Sequence, residues 1–237
     1  MTLNGKNAII TGGSRGLGKA VATLLAKEGV NIGISGRNEE SLKSAVAELE
    51  QLGIKAFYAV FNVDEEAEVK KGIALLAEKL GSIDILINNA GIGTFGKLAE
   101  MPSQDWEQVI KTNLFGVYYT AQAVHPYMKE NGSGDIINVA STAGLKGGAG
   151  MSAYAASKAA VISLSQSMMA EWRKENIRVI TLTPSTIATD MSIDGGLTDG
   201  NPDKVLQPED FAEWVRDILK MNRRALIANG SIFSTNP

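Results

Sequence analysis

Short apolar runs alternate with longer amphipathic stretches along most of the chain. The short runs, bounded by turn residues, are typical of buried strands, and the longer stretches have the spacing of helices. Strands are predicted at 7–11, 31–35, 56–61, 83–87, 135–140, 178–183 and 225–228, and helices at 16–28, 39–52, 65–80, 103–130, 152–175 and 208–221. Gly29, Gly53 and Gly81 each follow a helical stretch, where a terminating glycine is common.

This alternation of strands and helices predicts the fold class. Strands separated by helices form parallel sheets with right-handed crossovers. We therefore expect an α/β Rossmann fold, a doubly wound, seven-stranded parallel sheet with helices on both faces. With 237 residues, no internal repeat and no linker, the chain is expected to form one domain over 1–237.

Composition narrows the classes of function. The net charge of -3 and the pI near 5.4 do not indicate nucleic-acid binding, which normally needs a basic surface. There is no cysteine and only one histidine, His125, so neither thiol chemistry nor a metal site is expected. No apolar run approaches the length of a membrane span and no secretory signal is evident, so we expect a cytoplasmic enzyme.

Candidate chemistry centres on residues 141–158. Tyr154 and Lys158 are four residues apart and share one face of a predicted helix, and Ser141 ends a predicted strand. Free tyrosine has a pKa of about 10, but a cation about 4 Å away contributes roughly 4 kcal/mol at an effective dielectric near 20, or about 3 pKa units. A phenol that transfers protons near neutrality is one interpretation, and a solvent-facing Tyr and Lys on a surface helix is the other.

A glycine-rich turn follows the first predicted strand and opens the first helix. It reads Thr11-Gly12-Gly13-Ser14-Arg15-Gly16-Leu17-Gly18. Glycines let a pyrophosphate approach the backbone, and the helix N-terminus supplies N–H groups and a positive dipole. The turn therefore predicts nucleotide binding, although such a turn can also serve as a tight connection alone.

The end of the second predicted strand indicates which nucleotide. NAD-binding folds usually carry an acid about 20 residues after the glycines to bind the ribose hydroxyl. Here the sequence is Ser35-Gly36-Arg37-Asn38, without an acid. Arg37, together with Arg15 in the glycine turn, is suited to a 2′-phosphate, which favours NADP(H) over NAD.

Taken together, the motifs resemble those of the short-chain dehydrogenase/reductase superfamily over nearly the whole chain. They are TGGSRGLG at 11–18, NNAG at 88–91, Asn113 in KTNLFG, Ser141, and YAASK at 154–158. Within that superfamily the chain is most similar to the 3-oxoacyl-acyl-carrier-protein reductases of fatty acid biosynthesis.

The resemblance implies roles for individual residues. Tyr154 is the expected general acid, and Lys158 is expected to hold the nicotinamide ribose and to lower the Tyr154 pKa. Ser141 is expected to bind the substrate oxygen, and Asn113 to hold a water in a proton relay. Cofactor contacts are implied for Gly12, Ser14, Arg15, Leu17, Arg37, Asn62, Val63, Asn89, Ala90, Gly91, Tyr154, Lys158, Pro184, Ile187 and Thr189; no metal ligand is implied.

The sequence departs from the family pattern in several places. Asn62 replaces the usual Asp, and Ser185 replaces the usual Gly after Pro184. Residues 185–208, the expected substrate lid, are polar and short, and the C-terminal segment lacks the usual glycine-rich strand. Basic residues expected for acyl-carrier-protein docking are replaced by Glu130-Asn131-Gly132 and Glu175, although Lys129, Arg173 and Lys174 lie near, so docking has little support.

The expected function is therefore NADPH-dependent reduction of a carbonyl to an alcohol, with a 3-oxoacyl thioester as the leading substrate. A small ketone, diketone or sugar is the enzymatic alternative, and a non-catalytic NADP sensor or scaffold is the third. Small residues around the helix at 152–175 permit another element to approach closely, and the resemblance implies that this helix and the one at 103–130 pack against their copies about a two-fold axis. We therefore expect a homodimer or homotetramer; the alternative is that these small residues pack on the chain's own sheet.

Overall fold

The computed structural model describes residues 1–235 and contains a seven-stranded parallel sheet. The strand order is β3-β2-β1-β4-β5-β6-β7, which confirms the predicted doubly wound Rossmann fold. The strands are β1 (Asn7–Thr11), β2 (Asn31–Gly36), β3 (Ala56–Val60), β4 (Ile85–Asn88), β5 (Gly134–Val139), β6 (Ile177–Pro184) and β7 (Asn229–Ile232). The last two residues of the predicted domain, 236 and 237, lie outside the described residues.

Helices cover both faces of this sheet. They are α1 (Gly16–Lys27), α2 (Glu39–Glu50), α3 (Glu66–Leu80), α4 (Ser103–Ile110), α5 (Gly116–Glu130), α6 (Ser152–Trp172), α7 (Asp190–Asp194) and α8 (Pro208–Lys220). Apolar residues of α1, α2 and α8 form one core, and those of α3, α5 and α6 form the other. Successive residues of the central strands alternate between the two cores: Ile9 of β1 faces one and Ile10 the other.

The strand order places a crevice at one edge of the sheet. The chain proceeds outwards from β1 through β2 to β3, and then crosses back to pair β4 with the other side of β1. In open α/β sheets ligands bind outside the carboxyl ends of the strands at such a reversal. The carboxyl ends of β1 and β4 are Thr11 and Asn88, and both lead directly into predicted motifs.

The predicted helix at 103–130 is interrupted. A π-helical turn at Lys111–Phe115 separates α4 from α5. Within this turn Asn113 is fully buried, and its side-chain amide bonds both the N–H and the C=O of Ile92. π-helical turns are rare in proteins, and those that occur are often at functional sites. The hydrophobic periodicity continues across it, which is why the pattern alone predicts one helix.

The last strand lies four residues after its predicted position. The apolar segment 225–228 is not a strand; Leu226 and Ile227 pack against the core beneath α8. The strand itself, β7, has the polar sequence Asn229-Gly230-Ser231-Ile232 at the sheet edge. Its backbone, not its side chains, makes the pairing with β6, so hydrophobicity gives no signal for it.

A buried ion cluster lies at the opposite edge of the sheet from the crevice. Arg178, near the start of β6, donates to both carboxylate oxygens of Asp135, at 2.6 and 3.1 Å. Arg223 approaches the same carboxylate at 3.0 Å and also donates to the Gly134 and Asn176 carbonyls. This cluster joins β5, β6 and the segment after α8.

Residues 1–235 lack two features. No described helix is both long and apolar enough to cross a membrane. Within the same residues, no three His, Cys, Asp or Glu side chains are grouped as a metal site requires.

Candidate active site

A large cavity lies at the carboxyl ends of the strands. Its volume is about 1300 Å³, larger than the roughly 300–1,000 Å³ of ordinary small-molecule sites. Its walls include the segments that follow β1 to β6, and Phe233 follows β7. The cavity therefore has room for a large ligand together with a second, smaller one.

Most of the predicted site residues line this cavity. Asn113 is the exception: it is buried behind the wall. The lining members are Gly12, Ser14, Arg15, Leu17, Arg37, Asn62, Val63, Asn89, Ala90, Gly91, Ser141, Tyr154, Lys158, Pro184, Ile187 and Thr189. Residues that are far apart in the chain thus meet at one site.

Thr11 holds the glycine turn against the segment after β4. Its hydroxyl oxygen accepts hydrogen bonds from the backbone N–H groups of Asn89 and Ala90, at 3.1 and 3.0 Å. In return, the Asn89 side chain donates to the carbonyls of Thr11 and Gly12. Thr11 was not among the predicted site residues, although it belongs to the glycine motif.

The glycines of the turn are required by space as well as by backbone conformation. Gly12 has a φ of 66°, in the left-handed region that favours glycine. A methyl group on Gly18 would lie 2.3 Å from the Gly12 carbonyl oxygen and 2.5 Å from Nδ2 of Asn89. Helix α1 consequently begins directly against the turn, with its first N–H groups close to the cavity.

One end of the cavity is basic. Arg15 and Arg37 are both exposed and both line it, and neither forms an ion pair within residues 1–235. Nearby, Asn38 caps α2 by accepting from the Ser41 N–H at 2.8 Å. The wall after β2 is Gly36, Arg37, Asn38 and Ser41, which includes no carboxylate.

Tyr154 and Ser141 meet at the other end of the cavity. Burial raises the pKa of the Tyr154 phenol above its ordinary value, and its hydrogen bond with Ser141 acts in the opposite direction. Ser141 is held in place because its hydroxyl also accepts from the Ala143 N–H at 3.1 Å. The pair presents two hydroxyl groups to the same region of the cavity.

Lys158 lies behind Tyr154 and is buried. Its ammonium group donates to the Val139 carbonyl at 2.8 Å and lies 5.7 Å from the centre of the Tyr154 ring. Burial lowers the pKa of Lys158 to about 8. The lowering of the Tyr154 pKa that we expect from Lys158 is not found here, because burial of the phenol dominates and Ser141 is the group that opposes it.

Asn113 connects the π turn to α6. Its amide nitrogen donates to the Ile92 carbonyl at 2.9 Å and to Oγ of Ser157 at 3.0 Å. The Ser157 hydroxyl in turn donates to the Tyr154 carbonyl at 2.7 Å. Both amide protons of Asn113 are therefore used, and any water contact falls to its oxygen atoms.

The segment after β6 forms another wall of the cavity. Pro184 ends the strand, and Ser185 donates its N–H to the Ile232 carbonyl at 2.9 Å. Thr189 caps the short helix α7, with its N–H donating to Oγ of Ser192 at 3.0 Å. The predicted lid thus contains a helix, α7, that the polar sequence of residues 185–208 does not predict.

Part of the cavity wall is apolar, and the sequence analysis did not predict it. The residues of this apolar wall are Ile92, Phe95, Leu145, Met151, Met191, Leu197 and Phe233. Phe95 lies against the Tyr154 ring. Except for Met191, which lies in α7, they belong to separate loops, so no periodicity connects them. The one available signal is the exposure of large apolar residues in loops, since Leu145, Leu197 and Phe233 are exposed.

Comparison with known proteins gives a consistent result. The family model described as short chain dehydrogenase matches residues 6–197. Gluconate 5-dehydrogenase of Gluconobacter oxydans (strain 621H) is 36% identical over 214 residues, covering 90% of this chain and 80% of that protein. The 3-oxoacyl-acyl-carrier-protein reductase of Chlamydia pneumoniae is 39% identical over 218 residues, covering 92% and 84%. A solved alcohol dehydrogenase from the archaeon Thermococcus sibiricus, complexed with 5-hydroxy-NADP, has a TM-score of 0.90 at 28% identity and covers 98% and 97%.

Proposed function

The chain belongs to the short-chain dehydrogenase family, and we propose that this oxidoreductase reduces a carbonyl group to an alcohol with NADPH. The observation that carries the proposal is the convergence of Ser141, Tyr154 and Lys158 on the cavity that also contains the glycine turn. A non-catalytic NADP sensor would not require a buried lysine behind a phenol. The oxidoreductase class is therefore favoured over the sensor.

The residues of the cavity fit NADP(H). The glycine turn leaves backbone N–H groups free for a pyrophosphate at the start of α1. Arg15 and Arg37 are suited to the 2′-phosphate, because a guanidinium forms strong charge-assisted hydrogen bonds with phosphate oxygens. The segment of Asn89 to Gly91 and that of Pro184 to Thr189 are the proposed walls for the nicotinamide riboside.

The proposed chemistry divides between cofactor and chain. When bound, NADPH supplies the hydride that reduces the carbonyl carbon. Tyr154 donates its phenolic proton to the carbonyl oxygen, and the Ser141 hydroxyl donates a hydrogen bond to the same oxygen. Lys158 keeps a positive charge beneath the phenol, and Asn113 fixes the backbone of α6 through Ser157.

The cavity wall supports an apolar substrate. A sugar needs several hydrogen-bonding side chains around the reacting carbon, because each buried hydroxyl without a partner is costly. The cavity is lined by several large apolar side chains, alongside polar ones such as Thr142, Thr186 and Asp190. Phe95 packs edge-on against the Tyr154 ring. We therefore favour a 3-oxoacyl thioester over a sugar, and retain small apolar ketones and diketones as the alternative.

Acyl-carrier-protein docking is not part of the proposal. Lys129 is the basic residue nearest to the expected docking position on α5, and its ammonium is paired with Glu175 at 2.6 Å. His125 contacts the same carboxylate, which is therefore shared by two partners. A positively charged docking patch for an acidic carrier is thus weakened at this position.

A substrate screen tests the proposed function. NADPH consumption is followed with 3-oxoacyl thioesters of increasing chain length, with apolar diketones and with keto-sugars including 5-ketogluconate. We expect kcat/KM to rise with acyl length and to be lowest for the sugars. A preference for the sugar would contradict the proposed substrate, and no turnover of any carbonyl would contradict the proposed function.

Assembly is proposed to use helices α5 and α6. On α6 the small residues Ala156, Ala159 and Ser163 are exposed along one face, whereas Ala153 and Ala155 are buried in the chain's own core. On α5, Tyr118 is 43% exposed. Exposed small side chains on α6 suit an isologous contact with a second copy, and the exposed Tyr118 offers a further contact on α5, so we propose at least a homodimer.

A further inference from the structure

The ring of Phe95 lies between the lid and Tyr154. Its centre is 5.8 Å from that of the Tyr154 ring, in an edge-on arrangement with an interplanar angle of 61°. Phe95 belongs to the segment after β4, and its ring also lies beside Gly195 of the lid, just after α7. Edge-on aromatic pairs have a preferred geometry, so displacement of one ring affects the other.

Two glycines leave the space that this ring occupies. A methyl group on Gly93 would lie 2.8 Å from Cζ of Phe95 and 3.5 Å from Sδ of Met191. A methyl group on Gly195, which directly follows α7, would lie 2.9 Å from the carbonyl oxygen of Met191 and 3.0 Å from Cε2 of Phe95. Neither glycine has a positive φ, so no backbone conformation requires glycine at either position. The ring of Phe95 excludes a side chain at Gly93, and at Gly195 the ring and the Met191 carbonyl exclude one together.

The loop that carries Phe95 is fixed relative to α6. Gly96 donates its N–H to the Gly150 carbonyl at 2.8 Å, just before the helix that carries Tyr154. One side of the ring therefore faces an anchored helix. The other side faces Met191 and Gly195, which belong to the lid and are partly or largely exposed.

We propose that Phe95 is a positioning residue that transmits the position of lid helix α7 to the ring of Tyr154. When α7 packs against Phe95, the ring holds the phenol in its orientation towards Ser141 and keeps water from that side. Closure of the lid over a substrate and alignment of the proton donor are then one event. The inference rests on the proposed reductase function, because it assigns Tyr154 the role of proton donor.

Water exclusion gives this arrangement a measurable consequence. Burial raises the pKa of Tyr154, and Phe95 covers one side of that ring. A smaller side chain at position 95 admits water and lets the Tyr154 pKa fall towards its ordinary value. Lys158, the charged group behind the phenol, has a pKa of about 8 and loses its charge before Tyr154 ionises, so the change in the Tyr154 pKa is measured by direct titration of the phenol.

The first test compares two phenylalanines of the same cavity. Phe95→Leu is expected to lower kcat by about 2- to 10-fold, the range that corresponds to loss of one aromatic pair. Phe233→Leu is the matched control, because Phe233 also lines the cavity and, within residues 1–235, its ring does not pair with that of Tyr154. It should change KM for the carbonyl alone.

The second test moves the ring without altering it. Gly93→Ala places a methyl group 2.8 Å from Cζ of Phe95 and is expected to reproduce the kcat loss and the lower Tyr154 pKa. Gly147→Ala is its control: it lies in the loop before α6, and its methyl group would have only Ala155 nearby, at 3.9 Å. If the two alanine variants behave alike, the proposal is wrong.

A third measurement does not depend on turnover. Alkaline titration of tyrosinate absorbance, with the Tyr154→Phe protein subtracted, reports Tyr154 alone. We expect ionisation at lower pH in Phe95→Leu than in wild type and no such change in Phe233→Leu. Equal ionisation in all three would overturn the proposal even if the enzyme were an active reductase. Failure of the wild type to reduce any carbonyl would instead overturn the proposed function, and the titration would still decide the role of Phe95.

Discussion

Lys158 donates its buried ammonium group to the carbonyl oxygen of Val139, the last residue of β5, at 2.8 Å. This bond ties the helix that carries Tyr154 to the strand that leads into Ser141. The two hydroxyl groups are consequently set by one contact between α6 and the sheet. The ammonium group lies buried behind Tyr154, and this burial lowers its pKa.

The pH dependence of stability follows from this lysine. Burial lowers the pKa of Lys158 from 10.5 to about 8. Between these values the unfolded chain binds more protons than the folded protein, so this group makes the free energy of unfolding rise with pH from about 8 to 10.5. In Lys158→Met that contribution should be absent. Urea unfolding of both proteins across this window measures the difference, and equal pH slopes would contradict it.

Tyr154→Phe is expected to abolish turnover while leaving NADPH affinity nearly unchanged. The aromatic ring and its packing on Phe95 are retained, and only the proton donor is lost. Fluorescence titration measures NADPH binding, and kcat measures turnover. Tyr58→Phe serves as control, because its hydroxyl contacts Glu39 on the surface, outside the cavity. Substantial residual turnover in Tyr154→Phe would exclude the phenol as general acid.

Arg37→Ala is expected to weaken the preference for NADPH. Loss of one charge-assisted contact should cost about 1.5–3 kcal/mol, roughly 10- to 150-fold in kcat/KM, with NADPH and little with NADH. Arg224→Ala is the matched control, since that arginine is also exposed but does not line the cavity. A wild type that prefers NADH would contradict the assignment of the basic end of the cavity.

The sequence predicted well the site residues that belong to a local motif. The segment 11–18 connects β1 to α1 through a tight turn that needs glycines, and Tyr154 and Lys158 share a helical face by spacing alone. The apolar wall had no such signal, because Phe95 and Phe233 come from the loops after β4 and β7 and meet only through the strand order. Tertiary contacts also decided the π turn, where Ile92 holds the Asn113 side chain.

Asp135→Asn is expected to destabilise the fold without affecting the site. Asp135 and Arg178 are 7% and 5% exposed, and loss of the carboxylate charge leaves Arg178 and Arg223 without their partner. Removing one member of a buried pair costs about 3–5 kcal/mol in the free energy of unfolding.

The surface pair of Arg216 and Asp217 provides the comparison. The Asp217 side chain is 64% exposed, and Asp217→Asn should therefore change the free energy of unfolding by no more than about 1 kcal/mol. Denaturant unfolding measures both variants, and kcat per folded molecule should be preserved in each. Equal effects of the two substitutions would show that the buried cluster contributes no more than a surface pair.

Ser163→Arg is expected to convert the assembly to a monomer. Ser163 lies on the exposed small-residue face of α6, where a second copy of the helix would approach closely, and an arginine there introduces both bulk and repulsion about a two-fold axis. Ser44→Arg places the same side chain on the exposed surface of α2 and should leave the mass unchanged. Light scattering of wild type is expected to give at least twice the chain mass of 25.1 kDa. An active wild-type monomer would show that this face of α6 is not an interface, since the exposed alanines would then be ordinary solvent-facing residues.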